Sequence, residues 1–127
     1  MQLRRNRLLP ETPLPDGTLN CSVLTGQLLE RKQMRYTPAG IPVSEGWIKH
    51  RSLQMENGTE RQVELEIAIV ALGENARWLE AAPLGGEIKV TGFLAAKSRN
   101  SNRPVLHVNT LEYLEGNKNG SILQEEG

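Results

Sequence analysis

Most of the sequence consists of strand-length stretches separated by turn residues, and this pattern limits the chain to a small β-rich fold. The clearest stretch is Arg61–Val70, where apolar residues alternate with polar ones, as in a strand with one buried face. Asn57-Gly58 just before it is the strongest short signal for a hairpin turn. The pattern predicts five strands, at Leu19–Leu29, Val43–Gln54, Arg61–Val70, Glu87–Ala96 and Val105–Leu114.

The spacing of apolar residues changes from a strand pattern to a helical one only once, between the third and fourth predicted strands. Glu74–Ala82 consists mainly of good helix formers and Pro83 follows it, which predicts a short helix. The order β-β-β-α-β-β is that of the OB-fold, an all-β, five-stranded, partly open Greek-key barrel. We expect Trp78, Leu79 and Ala82 of this helix to plug one end of the barrel. A five-stranded sandwich would contain the same elements and stays open as an alternative.

The chain length allows one domain and leaves little room for a second. It has 127 residues, and we expect the domain to occupy residues 19–115. Three closely spaced prolines predict a flexible N-terminal arm over residues 1–18, and glycines and asparagines predict a disordered tail over residues 116–127. The prolines also interrupt the apolar run that a secretory signal needs, and no run is long enough to span a bilayer. We therefore expect a cytoplasmic protein.

Residue types that carry most enzyme and metal chemistry are scarce. Cys21 is the only cysteine and His50 and His107 are the only histidines, which excludes an internal disulfide and a cysteine-built zinc site. The sequence contains no nucleophile, metalloprotease or phosphate-loop motif. We expect Cys21 to be buried in the first strand and both histidines to be structural. The sequence thus predicts a binding protein rather than an enzyme, with no metal and no cofactor.

The positions of the charges are more informative than their sum. Lysine and arginine total 15, as do aspartate and glutamate, so the formal net charge is zero. Residues 88–111 nevertheless contain four cations and no acidic residue, and the cations Lys97, Arg99 and Arg103 lie in the predicted loop between the last two strands. A second basic set, Arg31, Lys32 and Arg35, lies between the first two strands. In an OB-fold these two loops flank the face that binds oligonucleotides, so the pattern favours nucleic-acid binding over merely solubilising loops.

Aromatic residues are few, which limits how much base stacking can contribute. Tyr36 in the first basic connection and Trp47 in the second strand are the two placed to meet a base, whereas Trp78 and Phe93 are expected in the core. Burial of Trp47 in the core or in a subunit interface is an equally good interpretation. This set predicts weak, salt-sensitive binding without sequence preference.

Three segments together resemble a known family. They are Arg35-Tyr36-Thr37-Pro38-Ala39-Gly40-Ile41-Pro42, then Lys49-His50-Arg51-Ser52, then Gly92-Phe93 with Val105-Leu106-His107. In this pattern the chain resembles PriB, the bacterial primosomal replication protein N, from about Leu19 to Glu115. The resemblance implies a homodimeric OB-fold, similar to single-stranded DNA-binding proteins, that acts in replication restart. It also implies binding to single-stranded DNA and stimulation of the PriA helicase, with DnaT as a further partner in some bacteria.

The resemblance also implies which residues contact DNA. Cations fall at the family's DNA-contacting positions, namely Arg35, Arg51, Lys97, Arg99 and Arg103. The chain departs from the family at Thr59 and Glu64, where some members carry DNA-contacting aromatics. A carboxylate cannot stack on a base and repels phosphate, so this departure predicts reduced affinity for DNA.

The basic segments and the resemblance to PriB together lead us to expect an OB-fold that binds single-stranded DNA, and the resemblance implies that it is an accessory protein of replication restart. Its predicted DNA-binding residues are Arg35, Arg51, Lys97, Arg99, Arg103, Tyr36 and Trp47. Two alternatives stay open: an OB-fold module that contacts a helicase and binds DNA only incidentally, and an RNA-binding OB domain.

Overall fold

A computed structural model describes residues 14–114 as six strands and one helix. The predicted tail over residues 116–127 lies outside the described residues, as does the predicted arm except for residues 14–18. The bounds are β1 Ser22–Arg31, β2 Arg35–Tyr36, β3 Pro42–Glu56, β4 Thr59–Leu72, α1 Glu74–Ala81, β5 Glu87–Ser98 and β6 Ser101–Leu114. No helix in residues 14–114 has the length and apolar character needed to cross a membrane.

The five long strands close into a barrel in the order β1-β5-β6-β4-β3, and β3 returns to β1. The first half of β1 pairs with β5 and its second half pairs with β3, antiparallel in both cases. The other closing contact is parallel, between Ala68 of β4 and Val105 of β6 and their neighbours. The predicted five-stranded OB-fold with one helix after the third long strand is therefore confirmed. β2 is a two-residue addition that pairs with the start of β3.

Alternation along the strands produces the core. Every second residue points into the barrel, where the side chains of Leu28, Ile48, Ile69, Ile88, Val90 and Leu106 are buried. Ala76 and Leu79 of the helix, together with Ala82 directly after it, close one end of the barrel and are buried, so the prediction for Leu79 and Ala82 is confirmed.

The prediction that Trp78 plugs the barrel is wrong. Trp78 is 48% exposed because it lies about 100° around the helix from Leu79, the residue that faces the core. Its ring meets Tyr113 edge-on with centroids 6.0 Å apart, and the Tyr113 hydroxyl donates to the Trp78 carbonyl oxygen at 2.5 Å. Partial burial raises the pKa of Tyr113, and this effect outweighs the nearby positive charge of Arg31, which lowers it. The hydroxyl is therefore protonated and a donor at neutral pH.

Arg31 belongs to the barrel's structure, although the sequence places it in a basic connection. Its guanidinium donates to the carbonyl oxygens of Leu79 at 3.2 Å and Ala82 at 2.5 Å, and it also pairs with Glu80 at 3.9 Å. The last carbonyl groups of a helix have no partner within the helix, and a cation there also complements the helix dipole. Arg31 therefore caps α1, which makes it a poor candidate for contact with a ligand.

The two long hairpins extend further than the sequence predicts. The expected loop Lys97–Pro104 is mostly strand, because β5 continues to Ser98, β6 begins at Ser101 and only Arg99-Asn100 form the turn. The same happens at the other hairpin, where Asn57-Gly58 take positive φ values of 53° and 77°, as a tight two-residue hairpin turn requires. Polar residues suit the extension of the β5–β6 hairpin, because both of its faces contact water near the turn.

The bounds of the first strand also differ from the prediction. β1 runs from Ser22 to Arg31 rather than over Leu19–Leu29, and Cys21 is exposed just before it. The expectation of a buried thiol is therefore wrong. Since the pairing of β1 with β5 begins at Ser22 opposite Gly92, no neighbouring strand covers Cys21 within the described pairing.

Ser44 places a polar side chain in the core of the barrel. Its hydroxyl is fully buried and has no hydrogen-bond partner among residues 14–114. An unpaired buried polar group costs about 1–3 kcal/mol. We expect Ser44→Ala to raise the free energy of unfolding by about 1 kcal/mol, measured by urea denaturation. Ser52→Ala is the control, because its hydroxyl contacts His50 and Gln54 and its loss is expected to be neutral or destabilising. A less stable Ser44→Ala protein would contradict this account.

Candidate nucleic-acid interface

A groove of about 530 Å³ runs over the outside of the barrel. Its floor is formed by outward-facing residues of three neighbouring strands, because residues next to the core positions point to the opposite face. One row across the sheet is Trp47 of β3, Ala68 of β4 and Val105 of β6, and the next is Glu45, Val70 and His107. Most of this floor is apolar.

Cations line the groove from both sides. Lys32 and Arg35 come from the segment between β1 and β3, and Lys97 and Arg103 come from the β5–β6 hairpin. We call this surface the basic groove and define it by Lys32, Arg35, Trp47, Lys97, Arg103 and His107. The two basic segments that the sequence shows far apart thus lie on one side of the barrel, and they concentrate positive potential there in a chain of zero net charge.

One carboxylate partly neutralises the basic groove. Glu45 lies 2.9 Å from a guanidinium nitrogen of Arg35 and 3.5 Å from the ammonium of Lys32. No ion pair of Lys97 or Arg103 is formed within residues 14–114. The hairpin side of the groove is therefore the more available for an anionic ligand.

The structure brings four of the seven predicted DNA-binding residues together. Arg35, Trp47, Lys97 and Arg103 all line the basic groove, and Trp47 is half-buried in its floor. Because Trp47 points outward, between buried Gly46 and Ile48, it is not a core residue.

The other three predicted residues lie outside the basic groove. Tyr36 follows Arg35 on β2 and is 57% exposed, and Arg99 lies in the exposed turn of the β5–β6 hairpin. Arg51 lies further along β3 and pairs with Glu64 at 3.3 Å. Glu64 therefore holds a cation that would otherwise be available to an anionic ligand. The roles of all seven residues stay predictions.

Sequence reasoning missed an aromatic pair beside the groove. The rings of Phe93 and His107 are stacked with centroids 5.0 Å apart and planes 8° apart. Phe93 is 38% exposed, so the prediction that it lies in the core is wrong. The signal was present: Ile88 and Val90 point inward, and alternation along β5 places Phe93 on the opposite face.

The remaining candidates for chemistry have structural roles or do not cluster. The Nδ1 atom of His50 lies 2.7 Å from the Thr25 carbonyl oxygen and Nε2 lies 2.8 Å from the Ser52 hydroxyl, so both ring nitrogens are occupied. Within residues 14–114 no three histidine, cysteine, aspartate or glutamate residues are grouped so that they could hold a metal ion.

Comparison with known proteins defines the class to which this fold and groove belong. Residues 20–110 match the sequence profile of a family described as another single-strand binding protein family. The wild-type single-stranded DNA-binding protein from Thermus aquaticus has a similar structure, with a TM-score of 0.63 and 27% identity over 78% of this chain and 52% of that protein. The chain is thus a member of the single-strand binding class of OB-fold proteins.

Within that class the chain belongs to the family of replication restart protein PriB. It is 36% identical over 98 residues to the protein of that name from Nitrosomonas europaea, covering 76% of this chain and 91% of the relative. The PriB structure from Ralstonia solanacearum superposes with a TM-score of 0.68 and 34% identity, covering 76% of this chain and 98% of that protein. The resemblance drawn from the sequence is confirmed.

Proposed function

We propose that the chain is an accessory protein of the replication-restart primosome that binds single-stranded DNA without sequence preference in the basic groove. The observation that carries this proposal is the placement of four cations on both sides of an apolar strand face. Membership of the PriB family supports the role in replication restart. We also propose that the protein acts in the cytoplasm as a binding protein and catalyses no reaction.

The chemistry of the groove explains why its binding is indifferent to sequence. Lysine and arginine attract phosphates, which every nucleotide carries. Trp47 offers a face on which any base can stack. The neighbouring floor residues Ala68, Val70 and Val105 have no side-chain hydrogen-bonding groups that could read the edge of a base. We propose that Lys97 and Arg103 hold the backbone on one side and Arg35 on the other.

The three predicted residues outside the basic groove are proposed to contribute less. Arg99 and Tyr36 are exposed beside the basic groove, and they extend the path of the single-stranded DNA at the two sides of the groove. Arg51 must leave Glu64 before it can contact a phosphate, so we expect its replacement to have the smallest effect of the five arginines and lysines.

The proposal is tested by comparing ligands of equal length in fluorescence anisotropy. We expect oligo-dT and mixed-sequence single-stranded DNA to bind within about threefold of each other, since phosphate and stacking contacts are common to all bases. Duplex DNA is the control and is expected to bind more weakly, because its bases cannot reach the groove floor. Tighter binding of structured RNA than of oligo-dT would overturn the proposal in favour of an RNA-binding domain.

Glu45 is expected to weaken DNA binding. It occupies Lys32 and Arg35 in the basic groove and also repels phosphate. Glu45→Gln keeps the shape of the side chain and removes the charge, so we expect it to raise the affinity for oligo-dT about threefold to tenfold at low salt. Glu64→Gln is the matched control and is expected to give a smaller gain, since it frees Arg51 outside the basic groove. Equal gains from both variants, or none from Glu45→Gln, would contradict the assignment.

Stimulation of the PriA helicase, with DnaT as a further partner, is proposed from the family resemblance. If DNA binding mediates the stimulation, alanine at Lys97, Arg99 and Arg103 is expected to reduce both together. The measurement is unwinding of a forked DNA by PriA at increasing concentrations of wild-type and variant protein. Full stimulation by the variant would favour the alternative of a protein-interaction module for which DNA is incidental.

We also propose that the protein is a homodimer, as the resemblance implies. The β3–β4 hairpin projects beyond the barrel and exposes the apolar side chains of Leu53, Met55 and Leu65, and a lone two-stranded hairpin is marginally stable in water. Light scattering is expected to give about 28 kDa, twice the 14.1 kDa of the chain, and Leu53→Glu with Met55→Glu is expected to give monomers. A monomeric wild-type protein would contradict this.

A further inference from the structure

The stacked pair of Phe93 and His107 forms an aromatic surface on the outside of the barrel. Phe93 of β5 and His107 of β6 are cross-strand partners, and their rings lie parallel at 5.0 Å. His107 lines the basic groove, whereas Phe93 lies on the side away from it. One face of the imidazole is therefore covered by Phe93, and the other is directed to the groove.

The position of His107 continues the floor that begins at Trp47. His107 is opposite Val70 of β4, and Trp47 is opposite Ala68 two residues along the same strand. With strands about 4.8 Å apart, β3 and β6 are separated by about 10 Å across β4. Small apolar side chains lie between Trp47 and His107. The distance between these two side chains is about the length that two or three stacked bases occupy.

The charge distribution favours a DNA path from Trp47 across β4 towards β6 over a path along β4 towards Leu65. A second depression shares Trp47, Ala68 and Arg103 with the groove and leads along β4 to Leu65 and Glu66. The Glu66 carboxylate forms no ion pair within residues 14–114. Exposed carboxylates repel phosphate. Towards β5 and β6, residues 88–111 carry no acidic residue.

We propose that His107, backed by Phe93, is a second base-stacking platform, at the far end of the groove from Trp47. This inference rests on the proposed function. The parallel stack holds the imidazole upright before DNA arrives, so little side-chain freedom is lost on binding. The single-stranded DNA then crosses from β3 over β4 to β6 and places a base against the free face of His107.

The test combines a change in the protein with a change in the ligand. His107→Leu provides a side chain of similar size without an aromatic face, and His107→Phe keeps an aromatic face. On oligo-dT we expect about fivefold to tenfold weaker binding for His107→Leu and affinity within about twofold of wild type for His107→Phe. On an abasic deoxyribose-phosphate oligomer of the same length, we expect wild type and both variants to bind equally.

Phe93→Leu provides a second variant and Leu84→Ala a control. Phe93→Leu removes the backing ring and is expected to weaken oligo-dT binding about twofold to threefold. Leu84 is 57% exposed and lies outside the groove, so its replacement should change nothing. Thermal melts of all variants verify that they are folded.

Each outcome decides the proposal. An equal loss by His107→Leu on oligo-dT and on the abasic oligomer would show that His107 acts only through the fold, and no loss on oligo-dT would show that bases do not reach it. Either result overturns the platform while leaving the proposed function intact. Failure of the wild-type protein to bind oligo-dT would overturn the proposed function itself.

Discussion

Replacing Lys97 and Arg103 together by alanine is expected to lower the affinity for oligo-dT about 60-fold at about 0.05 M monovalent salt and about tenfold at about 0.2 M. Both residues line the basic groove and neither forms an ion pair within residues 14–114. Each phosphate contact with a single strand contributes about 0.7 to the slope of log affinity against log salt. Loss of two contacts thus lowers the slope by about 1.4. With equal affinities of wild type and variant at about 1 M salt, this difference in slope gives the two factors.

The control for this variant removes the same charge from another part of the surface. Arg61 lies at the tip of the β3–β4 hairpin, paired with Glu56, and Arg77 is exposed on α1. Their double replacement by alanine changes the net charge equally, and we expect less than a threefold loss of affinity at about 0.05 M salt. Equal losses in the two double variants would show that DNA responds to the overall charge rather than to the basic groove.

Gly92→Ala is expected to destabilise the barrel by about 3 kcal/mol or more, which lowers the melting temperature by about 12–24 °C. Gly92 is buried at an irregularity in the β5–β6 pairing, where the two backbones approach closely. A Cβ there would overlap the carbonyl oxygen of His107, and it would lie 2.8 Å from the carbonyl carbon and 3.2 Å from the amide nitrogen of Asn109. These are backbone atoms, so the clash can be relieved only by separating the strands.

Gly40→Ala separates this effect from the general cost of replacing a glycine. Gly40 has a positive φ of 86° but open space where its Cβ would lie, so alanine there is strained only by its backbone angle and is expected to cost about 1–2 kcal/mol. Differential scanning calorimetry measures both. A Gly92→Ala protein that melts no lower than Gly40→Ala would contradict the close approach of β5 and β6.

The barrel could be predicted because its strands and turns are specified by short sequence patterns. Alternation in Arg61–Val70 and the Asn57-Gly58 turn specify strands and a hairpin, and the single helical stretch after them selects the OB-fold among small β-rich folds. The ends of the elements could not be predicted in the same way. Lys97–Pro104 is a loop by composition, yet most of it is strand, because pairing of exposed polar residues depends on the register set further down the hairpin.

The candidate site was predictable in outline and not in detail. Charge clusters combined with the expected topology place Arg35, Lys97 and Arg103 on one side of the barrel. Contacts between residues far apart in the sequence leave no local signal. Such contacts decide which cations are free to bind an anionic ligand. The pairing of Glu45 with Arg35, the capping of α1 by Arg31 and the stacking of Phe93 on His107 all depend on how strands and helix meet in three dimensions.

The fluorescence of Trp47 tests most directly whether single-stranded DNA lies in the basic groove. The chain has two tryptophans, so Trp78→Phe leaves Trp47 as the only one while keeping an aromatic ring on α1. We predict that oligo-dT quenches this fluorescence to saturation and that the midpoint matches the dissociation constant from anisotropy at each salt concentration. Binding seen by anisotropy without any change in Trp47 fluorescence would show that the DNA lies elsewhere and would contradict the central claim.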